Sequence, residues 1–166
     1  MMYTPKVEVE KRKDKDQLMQ YALFLLGQRD YFSAKMYDKL RSYAQDNKDA
    51  QSVLDYLIEL NYINDERTLE NKVRFISEGG SKGPTRIRQE LIEKGAPSAM
   101  VSEALSAIDS EVWRSNCFDL YRTRYKIDWD TYKERDKRLR YLVNRGFSYQ
   151  DAKDAVSTSL DDYCDS

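Results

Sequence analysis

The sequence predicts an all-α protein, an elongated, curved array of three tandem three-helix repeats. Three observations predict it. Of its 166 residues 34% are charged and 12% aromatic, against six glycines and three prolines, a balance that suits helices with charged faces. Apolar residues recur at i, i+3, i+4 and i+7 along most of the chain, the single stripe of an amphipathic helix. Leu40, Leu91 and Leu142 stand 51 residues apart each time, so the stripe pattern itself repeats.

The elements follow in order. Residues 1–13 have mixed charge and no stable period and are expected to form a flexible arm that orders on a partner. Leu18, Tyr21, Ala22 and Leu25 then share one helix face, and Gly27 closes it. Ser33 is expected to cap the next helix, whose face carries Met36, Leu40 and Tyr43. Asp49 is expected to head a third, with Val53, Leu54, Leu57 and Leu60. Each stripe must be covered by the other two, so residues 14–63 read as one three-helix repeat.

The pattern then recurs. Asn64 and Asp65 start a helix with Leu69, Val73 and Ile76. Gly83-Pro84 puts proline at a first helical position, where its missing N–H costs nothing, ahead of Ile87 and Leu91, and Gly95 ends that helix. Ser98 is expected to cap a helix with Val101, Leu105 and Ile108, which completes a second repeat over 64–108. The third, 109–160, runs from Trp113, Cys117 and Tyr121 through Leu139 and Leu142 to a stop at Gly146. Its last helix opens with Ser148 and Asp151, a capping-box-like pair. Residues 161–166 form an acidic tail. The pairs Val53/Leu57, Val101/Leu105 and Ala152/Val156 sit at matching offsets, once a short insertion near Asp46–Asp49 is allowed. Any helical protein shows leucines at loose intervals; the coincidence of cap, glycine stop and apolar pair in the second and third units argues for true repeats.

Composition also bounds function. The chain has no histidine, so the side chain best suited to proton transfer near neutral pH is missing, and with it Ser-His and Cys-His nucleophile pairs. Cys117 and Cys164 form neither a CxxC nor a metal spacing, which suits a reducing compartment. Asp128/Asp130 and Asp161/Asp162 are better read as solvated carboxylates than as a cation site. Gly79-Gly80-Ser81-Lys82-Gly83 lacks the order of a phosphate-cradling loop and reads as a hinge between helices. No enzyme activity, cofactor or metal is expected. The charged N-terminus and the lack of an 18-residue apolar run point to a cytoplasmic protein with no membrane contact.

Charge is the informative feature. The formal net charge is -1, yet Lys72–Lys94 has six basic residues against three acidic, and Arg122–Arg145 nine against four. The segment 45–71 has two basic and seven acidic residues. Basic clusters interleaved with Tyr121, Tyr125, Trp129, Tyr132 and Tyr141 can meet phosphates and stack on bases or on a protein surface. The plainer reading of any one of these residues is a solvated cation or a core aromatic. Clustered like charges repel one another unless something anionic faces them, which favours binding.

Tyr62-Ile63-Asn64-Asp65-Glu66-Arg67, then Gly83-Pro84-Thr85-Arg86-Ile87-Arg88-Gln89-Glu90-Leu91 and Lys94-Gly95, closely resemble the hallmark central segment of RecX proteins. Ala22-Leu23 through Arg29-Asp30-Tyr31, with Ser33 and Lys39-Leu40, is similar to the family's opening helices, and Arg145-Gly146-Phe147 matches more loosely. The resemblance covers about residues 18–158. It implies tandem three-helix repeats and a monomeric regulator that binds the filament of RecA recombinase on single-stranded DNA. Such a regulator inhibits filament extension, ATP hydrolysis and strand exchange in DNA repair, recombination and the SOS response. By position the contact role falls to Lys82, Arg86 and Arg88, with Arg74 and Lys94 beside them. Charge alone adds Arg122, Arg124, Lys137, Arg138, Arg140 and Arg145. The acidic pI of about 5.7 shifts weight from autonomous DNA binding to protein contacts. Two alternatives stay open: a helix-turn-helix-like nucleic-acid module using Arg86 and Arg88, and a helical-repeat adaptor relying on its tyrosine-rich faces.

Overall fold

The computed structural model describes residues 13–158; most of the expected N-terminal arm and the whole of the acidic tail lie outside them. The described residues form nine α-helices and no named strand. They are α1 (Lys15–Leu26), α2 (Ser33–Tyr43), α3 (Asn47–Glu59), α4 (Asp65–Glu78), α5 (Pro84–Glu93), α6 (Ser98–Ser106), α7 (Ser110–Arg124), α8 (Tyr132–Asn144) and α9 (Tyr149–Ser157).

The repeat period is visible in the core. Leu40, Leu91 and Leu142 lie on α2, α5 and α8, and all three are fully buried. Val53/Leu57, Val101/Leu105 and Ala152/Val156 are buried at matching places on α3, α6 and α9. Contacts divide the chain into two compact units, one ending at Thr68 and one beginning at Leu69, so the division falls inside α4.

In the first unit α1, α2 and α3 pack on one another around Leu18, Ala22, Met36, Leu40, Val53 and Leu57. The first turn of α4 belongs here because Asp65 accepts from the amide and the hydroxyl of Ser33, at 2.7 and 2.6 Å. Ser33 is therefore not the cap expected of it: its hydroxyl is committed as a donor, Phe32 takes the cap position, and Ser33 opens α2. α3 starts before Asp49, at Asn47, because the Asp46 carboxylate accepts from the Lys48 amide at 2.9 Å. Tyr43 does not join the Met36/Leu40 core; it is partly exposed and packs edge-on against Tyr21, centroids 5.1 Å apart. At the start of the described chain Lys13 pairs with the segment after α2, donating to Tyr43 O and accepting from Gln45.

In the second unit α5 packs on α6, while α9 packs on both α7 and α8 around Cys117, Tyr121, Leu142, Phe147 and Val156. Asn64, still in the first unit, accepts from the Arg67 amide at the start of α4, and in the second unit Pro84 opens α5. Gly95 and Gly146 turn the chain with φ of 95° and 94°, a conformation that L side chains rarely adopt, and so terminate their helices. Ser148 accepts from the Asp151 amide and donates to its carboxylate. Ser98 is not a cap: Pro97 holds that position with φ -61° and ψ 127°, and Ile108 lies past the end of α6.

Candidate functional site

The basic residues singled out from sequence lie mainly on α5, α7 and α8, and a joint made of backbone fixes part of the set. The start of α5 meets the end of α8: the Gly83 amide donates to Arg145 O at 2.9 Å and the Thr85 amide to Gly146 O at 3.2 Å. The approach is so close that a Cβ on Gly83 would stand 2.3 Å from Gly146 C and O. A Cβ on Gly146 would stand 2.4 Å from the Arg86 amide nitrogen. Two glycines are needed because no side chain fits between the two main chains.

Lys82, Arg86 and Arg145 are brought together at this joint. Glu90, one turn after Arg86, accepts from Lys82 Nζ at 2.7 Å and from Arg86 Nε at 3.1 Å. The hydrogen bond from Lys82, with the charges of Lys82 and Arg86, holds the Glu90 carboxyl below its ordinary range despite some desolvation. The two cations are thus oriented and partly neutralised before any partner arrives. Arg88 donates to the Ser102 hydroxyl on α6, which leaves its guanidinium at the surface but tethered.

The third repeat supports its cations differently. The Arg124 guanidinium lies over the Tyr141 ring at 4.3 Å from the centroid, and Arg145 lies over the same ring at 5.6 Å. Arg145 also donates from Nε to the Tyr141 hydroxyl at 3.2 Å, and Tyr125 meets Tyr141 edge-on at 6.3 Å. The contacts that hold Arg124 and Arg145 are to tyrosine rings and a tyrosine hydroxyl. Aromatic faces hold a guanidinium in place by attraction to the ring quadrupole and leave its net charge intact.

Arg138 is a correction. It was expected at the contact surface, but it is 4% exposed, with Nε and Nη1 hydrogen-bonded inside the fold. It donates to Glu134 at 3.1 Å, to the Tyr121 hydroxyl at 3.1 Å and to Ile127 O at 2.8 Å, and lies 4.4 Å over Tyr125. Burial works against its charge, but the hydrogen bonds with Tyr121 and Glu134 prevail and its pKa stands above the ordinary arginine value. It is a structural cation, which its spacing signals in retrospect: it falls one turn before buried Leu142 and one turn after Glu134.

The remaining predicted residues are at the surface. Arg74 donates to Asn71 on its own helix, Lys94 sits at the C-cap of α5, and Arg140 donates to Asp136 O one turn back. Arg122 and Lys137 are exposed. Glu90 was not singled out from the sequence, although an Arg86–Glu90 spacing of one helical turn is a readable signal.

Among the described residues no group of three or more acidic or cysteine side chains is placed to hold a metal, and no helix is long and apolar enough to cross a membrane. Cys117 is buried, and desolvation, aided by Asp151, pushes its thiol up to about 12. Fold and surface together define an all-α repeat protein that holds cations on tyrosine rings and around a backbone joint.

The family model described as "RecX, second three-helix domain" matches residues 64–105. The chain is 32% identical over 146 residues to the regulatory protein RecX of Pseudomonas putida, covering 86% of this chain and 91% of that one. It is 30% identical over 139 residues to the regulatory protein RecX of Streptococcus uberis, covering 84% of this chain and 54%, about half, of that longer protein. The crystal structure of RecX from Lactobacillus salivarius superposes with a TM-score of 0.73 at 25% identity, covering 86% of this chain and 94% of that one. The chain belongs to the RecX family of regulatory proteins.

Proposed function

We propose that this chain regulates recombination by binding the RecA filament on single-stranded DNA, restraining its extension, ATP hydrolysis and strand exchange, with no chemistry of its own and no cofactor. The observation that carries this reading is the set of cations around a backbone-fixed joint, exposed at Arg86 and Arg124 and half-buried at Lys82 and Arg145: Lys82 and Arg86 lie beside Arg145, and Arg145 beside Arg124 on the Tyr141 ring. Such a surface suits a large anionic polymer, because fixed cations release counterions from phosphates without first having to be ordered. The acidic pI of about 5.7 disfavours strong binding to naked DNA and favours a composite target of DNA and protein. Arg86 and Arg88 are tied to Glu90 and Ser102, an arrangement that suits phosphate contacts better than base-edge reading in a groove.

The test is DNA-dependent ATP hydrolysis by the RecA of the same bacterium. It is titrated with this protein and with an Arg86→Ala/Arg88→Ala variant whose helicity is checked by circular dichroism. Inhibition by the wild type that weakens at least tenfold in the variant supports the proposal. Stoichiometric protein without effect on RecA, together with tight binding to naked DNA, transfers the function to an independent nucleic-acid module.

A further inference from the structure

The connection between α7 and α8, residues 125–131, is held as a fixed part. Arg138 reaches it from α8 and donates to Ile127 O at 2.8 Å while its guanidinium covers Tyr125. Trp129 donates from its indole nitrogen to Val156 O on α9 at 2.8 Å, and its ring packs near Tyr132, centroids 6.1 Å apart. Both ends of the loop are therefore pinned to the third repeat. Yet at its crest Ile127 is 75% exposed, and Tyr132, at the start of α8, is 79% exposed. A large aliphatic side chain left in water contributes almost nothing to folding, whereas the buried guanidinium that fixes its backbone is costly to bury.

We infer that this loop is a docking knob for a protein surface, with Ile127 seated in an apolar pocket of the partner, Tyr132 beside it, and Arg138 as the positioning residue. A protein is favoured over nucleic acid for two reasons. Isoleucine has no π face on which a base can stack, and the loop carries Asp128 and Asp130 beside Lys126 and Lys133, so it has no basic excess to draw phosphates. The matching partner surface is an apolar pocket with a rim of both charge signs. A knob fixed before contact loses little freedom on binding, which is the condition under which one apolar anchor contributes much of an interface. This rests on the filament reading and divides the labour within it: the loop meets the recombinase protomer, and the cations around the α5–α8 joint meet its DNA.

The experiment measures affinity of the full chain for RecA filaments preassembled on oligo-dT, and for naked oligo-dT, with Ile127→Asp, Arg138→Met and the double variant. Ile127→Asp is expected to weaken filament binding roughly 10- to 100-fold, with naked-DNA affinity and thermal melting unchanged. Arg138→Met is expected to weaken filament binding similarly and to raise hydrogen exchange in residues 125–131. The double variant should bind no more weakly than Ile127→Asp alone, a non-additivity that loss of general stability does not produce. If Arg138→Met does not fold, Ile127→Asp decides alone. Wild-type filament affinity in Ile127→Asp overturns the knob while leaving the filament reading intact, and loss of naked-DNA affinity in that variant overturns the choice of a protein partner. A wild type that binds naked DNA but no filament overturns the filament reading and this assignment with it.

Discussion

Replacing Gly83 by alanine tests the α5–α8 joint directly. The new Cβ would lie 2.3 Å from three main-chain atoms, Gly146 C, Gly146 O and Phe147 N, and none of these can rotate away as a flexible side chain can. The start of α5 must therefore retreat, which breaks the bonds from the Gly83 amide to Arg145 O and from the Thr85 amide to Gly146 O. Two lost hydrogen bonds at about 1 kcal/mol each, with roughly 1–3 kcal/mol of overpacking strain, give a destabilisation of about 3–5 kcal/mol. For a unit of this size each kcal/mol corresponds to a Tm shift of about 4–8 °C, so the transition should fall by at least ~12 °C. Urea unfolding followed by circular dichroism supplies the free energy, with Gly79→Ala as the control. A Cβ on Gly79 meets Phe75 O and Ile76 O at 3.4 and 3.5 Å, close to ordinary contact, and that variant should match the wild type within about 1 kcal/mol. If Gly83→Ala unfolds within ~0.5 kcal/mol of the wild type, the main chains do not meet as described, and the placement of Lys82 and Arg86 beside Arg145 loses its basis.

Other expectations follow from single contacts. Ser33→Ala removes the hydroxyl bond to Asp65 and should lower the stability of the first unit by about 1–2 kcal/mol, read by urea unfolding, whereas Ser33→Thr should retain most of it. Glu90 has a lowered pKa in the fold, chiefly through the hydrogen bond from Lys82, so its contribution to stability is present above the ordinary carboxylate range. That contribution is lost as pH falls through the folded value; Glu90→Gln should flatten the acid limb of a stability-versus-pH profile. The Cys117 thiol, buried and pushed up to about 12, should resist a disulfide reagent at pH 8 in a Cys164→Ser background and react promptly in urea.

Much of the fold was legible because its information is local. A stripe such as Leu18, Ala22, Leu25 announces a helix within two turns, and Gly95 and Gly146 announce its end through a backbone conformation that other residues resist. Repetition of Leu40, Leu91 and Leu142 then marked one buried position each on α2, α5 and α8 without reference to tertiary contacts. The starts of α2 and α6 were misplaced for an equally physical reason. A serine near a helix start can cap it or lie one residue inside, and the choice for Ser33 was made by Asp65, 32 residues away. The site was less legible. Sequence separates acid from base but not inside from outside, so Arg138 looked like its exposed neighbours although it shares a stripe with Leu142. The Gly83–Gly146 approach had no local signal at all, since each glycine already had a sufficient role at its own helix end.

The tyrosine beneath Arg124 and Arg145 separates two properties that an ion pair would bind together. A carboxylate in that place would orient the guanidinium and cancel its field at once; the Tyr141 ring orients without cancelling. Ionic strength can therefore dim the long-range pull of this surface, over a Debye length of about 8 Å at physiological salt, while the side chains stay where the ring holds them. Attraction at a distance and fit on arrival become independently adjustable quantities in the third repeat.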